Sequence, residues 1–283
     1  MPADMTIHQA LRQTAQLLER AQIPDPEQDA LLMLAHILGR DPLSLRLDGA
    51  RELSPEDSAR YRALSSRRAE RQPLQYLLGE QWFYGLPYFV DERVLIPRQE
   101  TESLCEMGIA HLKRLPAPSA LDLCTGSGAI AVTLRHHCPH AEVSAADLSP
   151  DALAVARSNA RRHDAPITFY EGDLFTPLKG LRFDLILSNP PYIESGECPT
   201  LQEEVRREPL MALDGGTDGL DFYRRIAREA PLHLKPGGLL AMEIGSGQGA
   251  QVAGLLEAAG AYRQVSVAKD LYGLDRIVKA YKE

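Results

Sequence analysis

Apolar positions recur three and four residues apart through the first seventy residues: Ile7, Leu11, Leu17 and Leu18, then Ala30, Leu31, Leu34, Ile37 and Leu38. That spacing lines one face of a helix, so the segment is expected to fold as a small helical domain. "SPED" at 54–57 marks one helix start, with Ser54 as N-cap and Pro55 at the first helical position. The pattern changes in "WFYGLPYFVDERVLI", residues 82–96. Aromatic and β-branched residues flank Gly85-Leu86-Pro87 and Asp91-Glu92, which predicts a short hairpin joining two domains.

Beyond it, apolar runs alternate with amphipathic ones: "SALDLC", a helix from about 128, "AEVSAAD", a helix from Pro150, "ITFYEGD", "FDLILSN", a helix from about 218, "LLAMEIG" and a further helix. Alternation of this kind predicts an α/β fold, a mostly parallel sheet with helices on both faces. "YRQVSVAKD" and "DRIVKAY" have no helix between them and predict an antiparallel hairpin at one edge. The expected organisation is a helical domain over 1–75, a hairpin linker over 76–97 and a seven-stranded α/β domain over 98–283.

Composition narrows the function. With 44% hydrophobic and 25% charged residues the chain reads as an ordinary globular protein. It has no uninterrupted apolar run of membrane-spanning length and no signal-peptide layout at its start, so a cytoplasmic protein is expected. Its four cysteines form no CxxC pair and have no histidine at ligand spacing, so no metal site is expected. A formal charge of −8 opposes a protein that grips nucleic-acid phosphates. Arg60, Arg62, Arg67, Arg68 and Arg71 nevertheless crowd one segment; singly each reads as part of a solvated helix face, and as a group they suit an acidic partner.

In open α/β sheets ligands gather at the carboxyl ends of strands. The first strand leads into "LDLCTGSGAIA", where Gly126 and Gly128 let backbone approach a ligand at a helix N-terminus. Asp147 ends the next strand, placed to accept hydrogen bonds from ribose hydroxyls. With Ala131 the loop also satisfies the loose G-x-G-x-x-G/A dinucleotide fingerprint, which keeps an NAD dehydrogenase in play. Asp122, Asp147 and Asp173 set three carboxylates along this edge, however, a poor setting for a pyrophosphate and a better one for a cationic sulfonium with an adenosine.

The fourth strand ends in Ser188-Asn189-Pro190-Pro191-Tyr192. Two prolines remove two backbone donors and fix φ, so the chain leaves the sheet and stiffens there. An Asn-Pro-Pro-Tyr tetrapeptide about 60 residues after a glycine loop resembles the amino-group methyltransferases that use S-adenosylmethionine. A planar nitrogen has a delocalised lone pair and needs acceptors to hold its N–H groups. Asn189 offers a side-chain oxygen and Pro190 a backbone carbonyl, while Tyr192 can stack on the planar group.

Together with "YGLPYFVDERVLIPRQETE", "EEVRREPLMALDGGTDGLDFYRRI" and "EIG", these motifs make most of the chain similar to the peptide chain release factor glutamine methyltransferase family, PrmC or HemK. The resemblance implies a helical bundle that recognises substrate, a hairpin linker and a Rossmann-like class I methyltransferase domain. It implies methyl transfer from S-adenosylmethionine, leaving S-adenosylhomocysteine, to the side-chain amide nitrogen of the glutamine in the Gly-Gly-Gln motif of release factors. Residue by residue, Cys124, Thr125, Gly126, Ser127 and Gly128 would cradle the methionine part, Asp147 the ribose and Phe175 the adenine. Asn189 would touch both ligands, and Asn189, Pro190, Pro191 and Tyr192 would form the glutamine pocket, with Asn189, Pro190 and Tyr192 catalytic. Release factors are the expected partners, without membrane or direct nucleic-acid binding, and the chain is expected to act as a monomer. The alternative is a nucleic-acid adenine or RNA amino-group methyltransferase, which would use the tetrapeptide on a flipped base.

One departure stands out. The family usually reads Gly-Thr-Gly-Ser-Gly where this chain has Cys124 first, so a positive φ there would weaken cofactor binding. Arg98 and Glu100 read equally as site residues or as a charge cluster at a helix start, and Glu243 as a satisfied polar strand end. The loop from Glu194 to Thr217 has the length and composition of a lid.

Overall fold

Five helices grow from the periodic N-terminal segment in the computed structural model, which describes residues 5–283: α1 (Ile7–Arg20), α2 (Pro26–Leu38), α3 (Pro42–Leu47), α4 (Pro55–Ala69) and α5 (Leu74–Leu78). Local chemistry fixes their starts. The Thr6 hydroxyl accepts from the Gln9 amide while the Gln9 side chain accepts from the Thr6 amide, and Ser54 accepts from the Asp57 amide with Pro55 at the first position. Their apolar faces close on Ile7, Leu18, Leu34, Leu45 and Tyr61, all essentially inaccessible to water.

This unit runs to Gly79 and also contains the distant segment Gln202–Arg207. The reason is ionic. Buried Arg68 pairs with Asp29 at 2.7 Å and with Glu204 at 3.0 Å, and Arg71 reaches Glu204 at 2.8 Å. With Arg60 beside Asp57 at 3.8 Å, three of the five clustered arginines thus meet acidic groups of their own chain.

The second unit comprises Glu80–Leu201 and Glu208–Glu283. It opens with the hairpin β1 (Gln81–Phe83) and β2 (Leu86–Tyr88) and continues, after a 3-10 turn at Gln99–Thr101, with α6 (Glu102–Leu112). Then follow β3 (Ser119–Leu123), α7 (Ala129–His137), β4 (Glu142–Asp147), α8 (Pro150–Arg162), β5 (Ile167–Glu171), β6 (Phe183–Ser188), α9 (Asp221–His233), β7 (Leu234–Glu243), α10 (Gly249–Ala258), β8 (Tyr262–Lys269) and β9 (Asp275–Lys282).

Seven strands form one sheet in the order β5-β4-β3-β6-β7-β9-β8. All neighbours are parallel except β9, which lies antiparallel between β7 and β8. β3 and β6 are almost continuously buried, as strands covered on both faces must be. One core packs α6 and α7 on one face with Ala120, Leu185, Leu187 and Ala241; the other packs α9 and α10 with Leu121, Ile186, Leu240 and Met242. The strand order reverses between β3 and β6, so the carboxyl ends of those two strands are where a ligand crevice is expected.

Candidate active site

A cavity of about 450 Å³ opens at that switch point. Residues 123–127 at the end of β3, Asp147 and Leu148 at the end of β4, Gly172–Leu174 after β5 and Asn189 with Pro191 after β6 all line it. The chain from 93 to 101 and from 209 to 214 closes the rest.

The glycine turn is held by carboxylates that accept its amides. Asp147 takes the Gly126 amide at 2.8 Å and the Ser149 amide at 2.9 Å. Asp122, wholly buried beneath the turn, takes the Thr125 hydroxyl at 2.5 Å and the Ala131 amide at 3.1 Å. Burial pushes the Asp122 carboxyl up to about 7 against those hydrogen bonds, and it raises Asp147 too. Gly128 is required twice over: its φ is +81°, and a Cβ there would stand 3.0 Å from the Cβ of Ala156 on α8. Cys124 has φ +63°, so the position does demand the left-handed conformation that glycine adopts freely and cysteine adopts under strain.

Of the three carboxylates expected along the edge, Asp147 and Asp173 face the cavity, Asp173 tied to Arg225 at 2.7 Å, while Asp122 works from below. Both arginines of the wall are already paired, Arg93 with Asp91 and Arg98 with Glu208. A pyrophosphate would therefore meet carboxylates and no free guanidinium. Two carboxylates beside a turn whose Gly126 leaves open space where a Cβ would stand suit a cationic group and ribose hydroxyls.

Three assigned residues lie elsewhere. Phe175 is buried in the core under α9, stacked on His233 with ring centroids 4.8 Å apart, and does not line the cavity. Leu174, with φ +46°, turns the chain so that it lines the cavity in place of its neighbour. Pro190 is buried off the wall. Tyr192, directed back by the two prolines, packs into the α9 core instead of stacking over the cavity. Its carbonyl accepts from Gln248 Nε2 at 3.0 Å, and a Cβ on Gly219 would stand 2.4 Å from the same oxygen. The glycines of "LDGGTDG" are thus what let that loop press against the tetrapeptide.

Asn189 and Pro191 do line the cavity, and Asn189 Nδ2 donates to Thr101 Oγ1 at 3.2 Å. Arg98 belongs to the wall and Glu100 does not. Two groups inside the family motifs were not singled out from sequence. Glu208, almost wholly buried, accepts from the Ile96 amide at 3.0 Å and from Arg98, which ties the start of the wall at 209–212 to the chain at 96–98. Thr101 is the other. Glu243, read from sequence as satisfied, is buried with Oε2 unpartnered among the described residues.

A parallel sheet with one inserted antiparallel strand, a glycine turn over a strand-end carboxylate and an acidic wall without free cations define a Rossmann-like methyltransferase, not a dinucleotide dehydrogenase. Comparison with known proteins agrees. Residues 9–79 match the PrmC N-terminal domain and residues 105–214 the methyltransferase small domain. Release factor glutamine methyltransferases are similar over nearly the whole length: that of Geobacter sulfurreducens is 45% identical, covering 98% of this chain and 97% of its own, and that of Cereibacter sphaeroides 47%, covering 96% of each. Among solved structures, a methyltransferase from Pyrococcus furiosus superposes with a TM-score of 0.51 at 19% identity, covering 70% of this chain and 90% of its own. The chain belongs to the release factor glutamine methyltransferase family.

Proposed function

We propose that this chain methylates the side-chain amide nitrogen of the glutamine in the Gly-Gly-Gln motif of translation release factors, in the cytoplasm, with S-adenosylmethionine as donor. The observation that carries the reading is the position of Asn189, a neutral carboxamide on the wall of the cavity that also holds Gly126 and Asp147. Residues 124–128 and Asp147 would hold the cofactor, Leu174 and Leu148 giving apolar lining beside it. When bound, that cofactor supplies a methyl group made electrophilic by its sulfonium.

The protein's own work is alignment. A glutamine amide needs its N–H groups held by acceptors and its nitrogen aimed along one line, which is worth several kcal/mol without a strong base. Asn189 Oδ1 is one acceptor; the second assigned from sequence, the Pro190 carbonyl, belongs to a residue outside the cavity wall and would have to be reached from Asn189. A buried acceptor facing a glutamate analogue would meet a carboxylate, so glutamine should be favoured by something like 10⁴-fold. The helical unit is assigned the recognition of the whole release factor.

The test is mass spectrometry of a purified release factor after incubation with this chain and S-adenosylmethionine. One added methyl on the glutamine of Gly-Gly-Gln is expected. Methylation absent there but present on nucleic acid would replace the reading with the adenine or RNA alternative.

A further inference from the structure

Asn189 owes its surroundings to strand register. β6 and β7 run parallel with Ser188 beside Met242, so the next residues outward are Asn189 and Glu243. Leu187 and Ala241 lie in the core on the α6 side and Met242 in the core on the α9 side; alternation returns both Asn189 and Glu243 to the α6 side. There Thr101, buried just before α6, meets both. Its hydroxyl oxygen accepts from Asn189 Nδ2 at 3.2 Å, and the Glu243 carboxyl has the Thr101 hydroxyl and the Asn189 carboxamide as hydrogen-bonding neighbours.

Glu243 is only 1% exposed, and its Oε2 lacks a hydrogen-bond partner among the described residues. Leaving such an atom unsatisfied costs stability that an apolar side chain in its place would not. Arg276 on β9 and Glu100 in the 3-10 turn are near enough to act on the same carboxyl through charge, Arg276 favouring its ionised form and Glu100 opposing it. Burial nonetheless outweighs Thr101, Arg276 and Asn189 and pushes it up to about 7.

Counting donors fixes the direction of this chain of groups. Once ionised, the Glu243 carboxyl only accepts, and a threonine hydroxyl has one proton to give. Once that proton goes to Glu243, Thr101 can only accept, and the group that reaches it must be the NH₂ of Asn189. The carboxamide oxygen is then the atom left for a ligand in the cavity.

We propose that Glu243, acting through Thr101, is a positioning residue that locks the Asn189 carboxamide with its oxygen toward the substrate nitrogen. The inference rests on the amide-methylation reading above. Without the lock the carboxamide turns over, and an N–H of Asn189 opposes the N–H groups it should hold.

The experiment uses the full chain with a release factor and S-adenosylmethionine. Thr101→Val, which keeps the shape, should lower kcat on the order of 10²-fold while the KM for the release factor and the Kd for the cofactor stay within about twofold, since misalignment acts on the transition state. Thr101→Ser should recover kcat to within about threefold, because the hydroxyl is restored. Glu243→Met should match Thr101→Val, and the double variant should be no slower than either, as expected of groups acting in one line. In the ligand-free ¹⁵N-labelled protein, the Asn189 side-chain amide, assigned by its loss in Asn189→Ala, should exchange slowly in wild type and Thr101→Ser and fast in Thr101→Val.

Wild-type kcat in Thr101→Val, or unchanged Asn189 amide exchange in that variant, would overturn the proposal. If the wild-type chain leaves the release factor unmethylated, the substrate reading fails by itself, and amide exchange still decides the positioning role.

Discussion

The two ends of the cavity are built by opposite means. At the proposed cofactor end, the turn from Cys124 to Gly128 and Asp147 belong to one strand-helix-strand unit, and the carboxylates hold backbone amides 2 to 21 residues away. At the proposed substrate end, Asn189 leans on Thr101 across 88 residues, and Glu208 holds Ile96 and Arg98 across 112 and 110. The first end is made of local turn geometry and the second of long-range side-chain contacts. Changes at the first should therefore read out in cofactor affinity, and changes at the second in kcat.

The sharpest test of that division is Asn189→Ala. Turnover should fall about 10³-fold, the scale for losing a group that acts on the reacting centre, while calorimetric cofactor affinity changes little. Comparable losses in both would erase the distinction. Next is Glu208→Ala, which leaves the Arg98 guanidinium and the buried Ile96 amide without their partner. Breaking such a pair costs about 3 kcal/mol in urea unfolding, and loosening residues 209–212 should lower kcat/KM on the order of 10²-fold.

Gly128→Ala probes the other end. The positive φ alone costs about 1–2 kcal/mol, so cofactor affinity should drop about tenfold or more with kcat at saturation nearly kept.

A smaller effect concerns pH. Asp122 holds its proton to about pH 7 in the fold, well above its ordinary 3.8. The native state then binds more protons than the unfolded one between those values, so this group stabilises at low pH and its contribution is lost as pH rises towards 7. Asp122→Asn, which mimics the protonated form, should raise thermal stability relative to wild type at pH 8 more than at pH 5. The mildest change is Cys124→Gly, expected to add about 1 kcal/mol by relieving the left-handed strain. An unchanged or lower melting temperature would show that the buried thiol contributes more than the strain costs.

The same contrast governs how much was legible in the sequence. The alternating runs predicted the mostly parallel sheet and its antiparallel edge, because burial on both faces leaves an apolar signature in each strand. Helix α9 was expected from about 218 and begins at Asp221, since Gly215 and Gly219 first press against Tyr192. The glycine turn and Asp147 were readable because their spacing is their geometry. Phe175 and Tyr192 sit away from the cavity wall: each is an aromatic residue beside a site motif, and with an unusual backbone angle at Leu174 and a pair of prolines nearby, Phe175 lies in the core and Tyr192 packs half-buried against it. Thr101 and Glu208 lay inside the family motifs without standing out, because a carboxylate that reaches an amide 112 residues away leaves no local pattern.

The segment Gln202–Arg207 carries a consequence for treating this chain as two exchangeable modules. The polypeptide passes between the two units at Gly79, again at Leu201 and again at Arg207, so no single cut yields either one whole. Deleting the leading helices would also strip Glu204 of Arg68 and Arg71, only a few residues before the wall at 209–212. A cassette swap that exchanges the N-terminal residues alone would therefore graft the helical unit without its sixth piece, and a functional chimera has to carry 202–207 along with the five helices.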